Sequence, residues 1–150
     1  MIPVRVLFLC TGNSARSQMA EALMNDRAHG RVVAQSAGSH PAARVNPFAI
    51  QALREIGIEW SGHAPRGVGG LIGEHWDIVI TVCDRAKESC PILPGHPVRE
   101  HWGMEDPAEV EGTEAEKAQA FAAARELLAR RIDLMLAQLP APAPALKFNE

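Results

Sequence analysis

The feature that most constrains this chain is a polar octet set hard against an apolar run near the N-terminus. Val4 to Leu9 reads VRVLFL, short, nearly continuous in apolar residues and partly β-branched. Such a run suits burial on both faces, the habit of a parallel strand in an α/β sheet. Cys10-Thr11-Gly12-Asn13-Ser14-Ala15-Arg16-Ser17 follows without a break. QMAEALMNDRAHG then carries helical spacing through Met19, Ala22, Leu23 and Asp26, with an end at Gly30. The polar loop is therefore predicted to join a strand to a helix, at the carboxyl edge where α/β sheets bind ligands.

The rest of the chain repeats the alternation. Val32 to Ser36 reads as a second strand, and Pro47 to Ile56 as a helix with Asn46 as N-cap, Pro47 at its first position and Gly57 closing it. GHAPRGVGGLIG, residues 62–73, is loop or short helix. Trp76 to Val82 is the clearest strand, followed by the polar, proline-containing loop CDRAKESCPILPGHP, and Val98 to Trp102 reads as a fourth strand. Thr113 to Leu139 reads as a long amphipathic helix, with Thr113 and Glu116 spaced as a capping box. Residues 140–150, PAPAPALKFNE, are expected to be a disordered tail. This pattern predicts an α/β fold, a parallel sheet with helices on both faces, in one domain spanning 1–139.

Composition narrows the function classes. Fifteen Lys and Arg against eighteen Asp and Glu give a net charge of −3, which argues against a nucleic-acid or membrane-surface binder. The apolar runs are too short for a membrane span, and the N-terminus turns polar too soon for a signal peptide, so a cytoplasmic address is expected. Three cysteines do not make a secreted disulfide framework. All three fall at or just after expected strand ends, Cys10 after the first and Cys83 and Cys90 after the third. No metal is expected. His96 and His101 are too far apart for one helix turn, and the Cys83–Cys90 spacing is longer than zinc pairs prefer.

The octet carries the chemistry. Five residues separate Cys10 from Arg16, enough to wrap backbone N–H groups around a tetrahedral oxyanion, with the helix N-terminus adding donors and its positive dipole end. Thr11, Gly12, Asn13, Ser14, Ala15 and Arg16 form this expected oxyanion cradle. Arg16 can clamp two oxygens with its planar fork. The same environment is expected to lower the pKa of the Cys10 thiol, and Ser17 can donate to its thiolate. Gly12 is expected to permit a turn that a side chain would obstruct. Asn13 is expected to hold the loop through side-chain to backbone hydrogen bonds.

CTGNSARSQMAEAL resembles the active-site loop of the low-molecular-weight protein tyrosine phosphatase fold. Ser36-Ala37-Gly38 and Asp106-Pro107 also match that pattern, and the likeness spans about residues 4 to 139. Within that family the chain is most similar to the thioredoxin-coupled arsenate reductases, on account of Cys83 and Cys90 in TVCDRAKESCP and the stretch HWGMEDPAEVEGTEAEKAQAF. The resemblance implies a flavodoxin-like three-layer sandwich around a four-stranded parallel sheet of order 2-1-3-4.

It also implies a mechanism without a bound cofactor. Cys10 attacks arsenate, Arg16 stabilises the charge, and Asp106 protonates the departing hydroxide. Cys83 then attacks Cys10 and releases arsenite. Cys90 next attacks Cys83, leaving a Cys83–Cys90 disulfide for thioredoxin. Phosphate and sulfate are the expected competing oxyanions. Part of the family binds potassium through residues matched by Asn13, Glu21 and Ser36, together with a Thr and an Asp that here are Ala64 and Arg66, so no potassium site is expected. The runner-up is a phosphatase using Cys10, Arg16 and Asp106 alone. Against it, the chain has no tyrosine, and Ala108 stands after Pro107 where such phosphatases commonly place one. A non-catalytic thiol-based oxyanion or metalloid sensor would keep the cysteines without needing Asp106. An arsenate reductase driven by a small-molecule thiol would need only Cys10.

Overall fold

A computed structural model describes residues 2–60, 62–82 and 97–139. Its centre is β1 (Val4–Cys10), the apolar run extended by one residue to include the cysteine. β1 pairs in parallel with β2 (Val32–Gly38) on one side and β3 (Ile78–Thr81) on the other. β4 (Val98–His101) pairs with β3 at the edge, giving the expected order β2-β1-β3-β4. The two-residue period of β1 divides the core. Val6, Phe8 and Cys10 face one apolar cluster, while Leu7 and Leu9 join Ala37, Leu71, Trp76 and Val79 in another.

The first cluster is covered by three helices, α1 (Arg16–Arg27), α2 (Pro47–Arg54) and α3 (Glu114–Gln138). α3 buries Phe121, Ala124, Leu128, Ile132 and Met135, a stripe at helical spacing. Phe121 meets Phe48 of α2 with ring centroids 5.6 Å apart. The second cluster is closed, among the described residues, by the 68–76 segment, which begins with a 3-10 turn at Val68–Gly70.

Boundaries differ from the expected ones for local reasons. α1 starts inside the polar octet and stops at Arg27, because His29 and Gly30 take the left-handed region at φ 48° and 84°. α2 stops at Arg54 rather than Ile56. Gly57, at φ 85°, lets the Ile58 N–H reach back to Leu53 O. β3 is shorter than Trp76–Val82 because its flanks are tied by other bonds. Trp76 is buried and donates its indole N–H to Leu71 O, while the Asp77 carboxylate accepts the Arg5 N–H at 2.8 Å. The expected tail, 140–150, and the loop carrying Cys83 and Cys90 lie outside the described residues.

Two capping features are as expected. Asn46 accepts the Phe48 N–H, and Pro47 opens α2. Thr113 accepts the Glu116 N–H while the Glu116 carboxylate accepts the Thr113 N–H. Removing the capping hydroxyl by Thr113→Ala should cost about 1 kcal/mol and lower the melting temperature by about 2–4 °C, read by thermal denaturation.

Asp77 predicts a pH effect. The Arg5 backbone N–H, aided by His75, holds its carboxyl below the usual 3.8. A carboxyl whose folded pKa is depressed adds stability above its unfolded pKa and loses it as pH falls through the folded one. Asp77→Asn should therefore flatten the loss of stability below about pH 4, measured as melting temperature against pH.

Candidate functional site

The site is built at the carboxyl end of β1, and the first requirement is a bowl of amide N–H groups. In a trans peptide the C=O and the following N–H point in opposite directions. The segment after β2 runs alongside the octet and takes its carbonyls from outside. Ser39 N–H donates to Cys10 O, His40 N–H to Thr11 O, Ala42 N–H to Gly12 O and Asn46 N–H to Ser14 O, at 2.8–3.1 Å. Met19 N–H takes Ala15 O at 2.9 Å. With these carbonyls turned outward, the amides of residues 11, 12, 13, 15 and 16 turn inward. The N-cap of α1 is Ala15, which has no side chain to cap the first-turn donors. An anion suits that end.

The nucleophile candidate sits beneath the bowl. Cys10 is buried, and its Sγ lies 2.8 Å from Ser17 Oγ and 3.1 Å from the Asn13 N. The direction of the Ser17 contact follows from its other partner. Asn13 Nδ2 donates to Ser17 Oγ at 2.8 Å, so the hydroxyl proton is left to point at the sulfur. Both contacts favour a thiolate over a thiol.

Asn13 is the hub of the loop. It is fully buried at φ 50°, a left-handed conformation that asparagine tolerates better than most residues. Its amide donates to Ser17 Oγ and Ser36 Oγ, and its Oδ1 accepts the Arg66 N–H at 3.1 Å and Gln18 Nε2 at 3.3 Å. Three of these four partners are side chains, so the expected side-chain to backbone pattern holds only for Arg66. A side chain at Gly12 would not obstruct the turn, contrary to expectation. A Cβ there would meet only Ala42 and Ser14 at 3.8 Å, an ordinary contact. The requirement falls on Gly38, where a Cβ would lie 2.5 Å from Thr11 O and 2.9 Å from the Asn13 N.

Arg16 and Asp106 come together across the mouth. Arg16 Nη2 lies 3.4 Å from Asp106 Oδ2, and Nη1 donates to Met104 O at 3.0 Å. The segment after β4 is itself anchored by Trp102, whose ring packs on Phe8 at 5.7 Å between centroids. Asp106 also accepts the Ala108 N–H, capping the short turn at Pro107–Glu109. Turn-forming and Arg-facing roles therefore coexist in one residue.

Sequence reasoning missed Gln18, Trp60 and His63 in the polar layer behind the loop, and reached Glu21 and Ser36 only through the resemblance. Gln18 and Glu21 are buried on α1. Gln18 receives the Trp60 indole N–H at 3.0 Å, and Glu21 Oε1 accepts from Ser36 Oγ and His63 Nε2, each at 2.8 Å. No periodicity marked Gln18 and Glu21, because the first nine residues of α1 are all buried, polar and apolar alike. The potassium-type residues do not fit a cation here. Asn13 Oδ1, Ser36 Oγ and Glu21 Oε1 each accept from a donor of the chain, and the Arg66 guanidinium donates to Ser36 O at 3.0 Å.

Residues 5–143 match the family model described as low molecular weight phosphotyrosine protein phosphatase. Among curated relatives, the chain is 43% identical over 127 residues to an arsenate reductase of Bacillus licheniformis, covering 85% of this chain and 91% of that one. Among solved structures, it resembles an arsenate reductase in a phosphate-binding state at TM-score 0.73 and 27% identity, covering 91% and 99% of the two chains. It also resembles a thioredoxin-dependent arsenate reductase of Corynebacterium glutamicum at TM-score 0.63 and 32% identity, covering 89% of this chain and 64% of that one. With its anion bowl, its sheet order and these likenesses, the chain belongs to the low molecular weight phosphotyrosine protein phosphatase family.

Proposed function

We propose that this protein reduces arsenate to arsenite, with Cys10 as nucleophile and Cys83 and Cys90 as a disulfide relay recharged by thioredoxin. One observation carries the reading. β1 and β3 are hydrogen-bonded neighbours, with Leu9 opposite Thr81 and the Val82 N–H donating to Leu9 O at 2.9 Å. The strand that ends in Cys10 therefore lies about 4.8 Å from the strand whose chain continues directly into Cys83. That adjacency of strands supports Cys83 as the relay thiol. The arsenate reductases among the relatives, one of them thioredoxin-dependent, support the same assignment.

The chemistry runs in three exchanges. The Cys10 thiolate attacks arsenic(V) in the bowl, and Asp106 gives the proton with which hydroxide leaves as water. Arg16 and the inward amides hold the charged adduct. The Cys83 thiolate then attacks the Cys10 sulfur. The sulfur–arsenic bond breaks, its electron pair stays on arsenic, and arsenite leaves as the Cys10–Cys83 disulfide forms. Cys90 attacks Cys83, returning the Cys10 thiolate and leaving Cys83–Cys90 for thioredoxin to reduce by dithiol exchange. Two electrons pass from thiols to arsenic, and the chain needs no bound cofactor. Hydrolysis of phosphomonoesters is the second reading, since the same bowl takes phosphate and water would resolve the cysteine adduct. Ala108 is exposed after Pro107, where such phosphatases commonly place a tyrosine, and its methyl offers no ring for an aryl ester to stack on.

The test is arsenite production with thioredoxin, thioredoxin reductase and NADPH, run beside hydrolysis of p-nitrophenyl phosphate. Cys10→Ser should abolish both activities. Arg16→Lys should cost about 10²–10³ in rate, because an ammonium cannot reproduce the fork. Substantial turnover by either variant contradicts the assigned role.

The relay makes a separate prediction. Cys83→Ser should stop arsenite release while sparing any phosphatase activity. Cys90→Ser should complete one turnover and stall as a Cys10–Cys83 disulfide visible by mass spectrometry. Steady thioredoxin-driven turnover by Cys90→Ser at the wild-type rate would refute the relay.

A further inference from the structure

We infer that Arg66 supplies the fixed positive charge behind the anion loop, and that it closes to inorganic monovalent cations the polar site there. The inference concerns the loop's construction and stands whichever oxyanion the loop takes. The site has three oxygen-bearing side chains converging behind Cys10, those of Asn13, Glu21 and Ser36. A monovalent cation there would need several of their oxygens with lone pairs turned inward, and a net negative surrounding. Only one of their oxygens is without a donor among the described residues, and Arg66 offsets the Glu21 charge.

Three of the four side-chain oxygens are in use, all but Glu21 Oε2. Asn13 Oδ1 accepts from the Arg66 N–H at 3.1 Å and from Gln18 Nε2 at 3.3 Å, which fills both of its acceptor positions. Ser36 Oγ accepts from Asn13 Nδ2 at 2.9 Å and spends its proton on Glu21 Oε1 at 2.8 Å. The same Glu21 oxygen faces His63 Nε2 at 2.8 Å, and a carboxylate has no proton of its own, so the imidazole is the donor.

The charge is also supplied. Glu21 is 5% exposed, and a buried carboxylate needs a cationic or hydrogen-bonded partner. His63 and the Ser36 hydroxyl provide it. On the other side of Ser36, the Arg66 guanidinium donates through Nε to the Ser36 carbonyl at 3.0 Å and through Nη2 to Gln35 Oε1 at 3.0 Å. A fixed positive charge thus stands against the Ser36 backbone, and a second cation brought to this layer would be repelled at close range. The backbone of Arg66 is pinned as well, its O accepting the Gly38 N–H at 2.8 Å, so the guanidinium is delivered from a fixed base. Arg66 acts on the reaction through Asn13 and Ser36, and so is a positioning residue.

The experiment is a melting-temperature series of the full chain in potassium, sodium and choline chloride at equal ionic strength, with the phosphate dissociation constant measured in each salt. A site filled at tenfold its dissociation constant would raise the melting temperature of a chain this size by about 3–6 °C. The wild type should show the same melting temperature and phosphate affinity in all three salts. The double variant Arg66→Asp with Ala64→Thr, which removes the guanidinium and adds oxygens, should melt higher in potassium than in choline. If that variant does not fold, Arg66→Met, which keeps the aliphatic stem without the charge, is melted in its place and should show a smaller shift of the same sign. A potassium-specific rise in the wild type overturns the inference. Absence of any potassium-specific rise in the folded variant also overturns it, because Arg66 would then not be what closes the site.

Discussion

The interaction on which this structure depends is the outward capture of the anion-loop carbonyls by the chain that leaves β2. Amide N–H groups cannot converge on an anion unless their partner carbonyls are held elsewhere, because each peptide carries both at fixed, opposite directions. Four hydrogen bonds from residues 39–46 do this. They exist because β2 lies beside β1 in register, Cys10 opposite Gly38, so that the two strands deliver their following segments together. Gly38 allows the approach, since any side chain there would collide with Thr11 O. Sheet order, one glycine and one loop thereby convert a strand end into an anion receptor.

A second layer turns the receptor into a reactive site. Asn13 sits where backbone and side chains meet, and all of its polar valences are spent. Because it donates to Ser17 Oγ, Ser17 must donate onward to Cys10. The proton directions along this chain are therefore set by its buried end, Glu21 and His63, and not by the sulfur. Buried polar networks of this kind are costly if one member is missing, which ties the geometry of the thiol to residues that never touch the ligand.

Much of this was legible in the sequence where the signal was local. The strand before Cys10, the helix after it, the capping box at Thr113 and the Asn46-Pro47 start are all written in adjacent residues, and the structure bears them out. The parallel alternation also set Cys10 at a strand end, as observed, whereas Cys83 and Cys90 lie outside the described residues. What escaped was long-range. Nothing near Gly38 announces that Thr11 O lies over it, and Gly12, inside the motif, drew the inference that belonged to Gly38. Gln18 escaped, and Glu21 entered only through the family resemblance, because α1 is buried on every side at its start, which erases the amphipathic contrast by which polar residues on a core face stand out. His63 and Arg66 arrive from a stretch of ambiguous periodicity, and long-range contacts place them, among them the bridge between Gly38 and Gly67.

The same bowl can serve hydrolysis or reduction, and the difference lies in what meets the sulfur adduct next. Water resolves a phosphocysteine by attacking phosphorus, and the sulfur leaves unchanged. A second thiol resolves an arsenic adduct by attacking sulfur, and the bond electrons go to arsenic. The two outcomes make opposite demands on the surroundings: one needs a mouth that grips an aryl ester and admits water, the other a thiol beside the nucleophile. This chain has Ala108 after Pro107, no tyrosine anywhere, and cysteines on the continuation of the strand next to β1. Those features lie outside the bowl, in the segments that follow β3 and β4. On the proposed reading the family's shared loop sets the affinity for tetrahedral oxyanions, and the chain after the neighbouring strands decides which atom is attacked second.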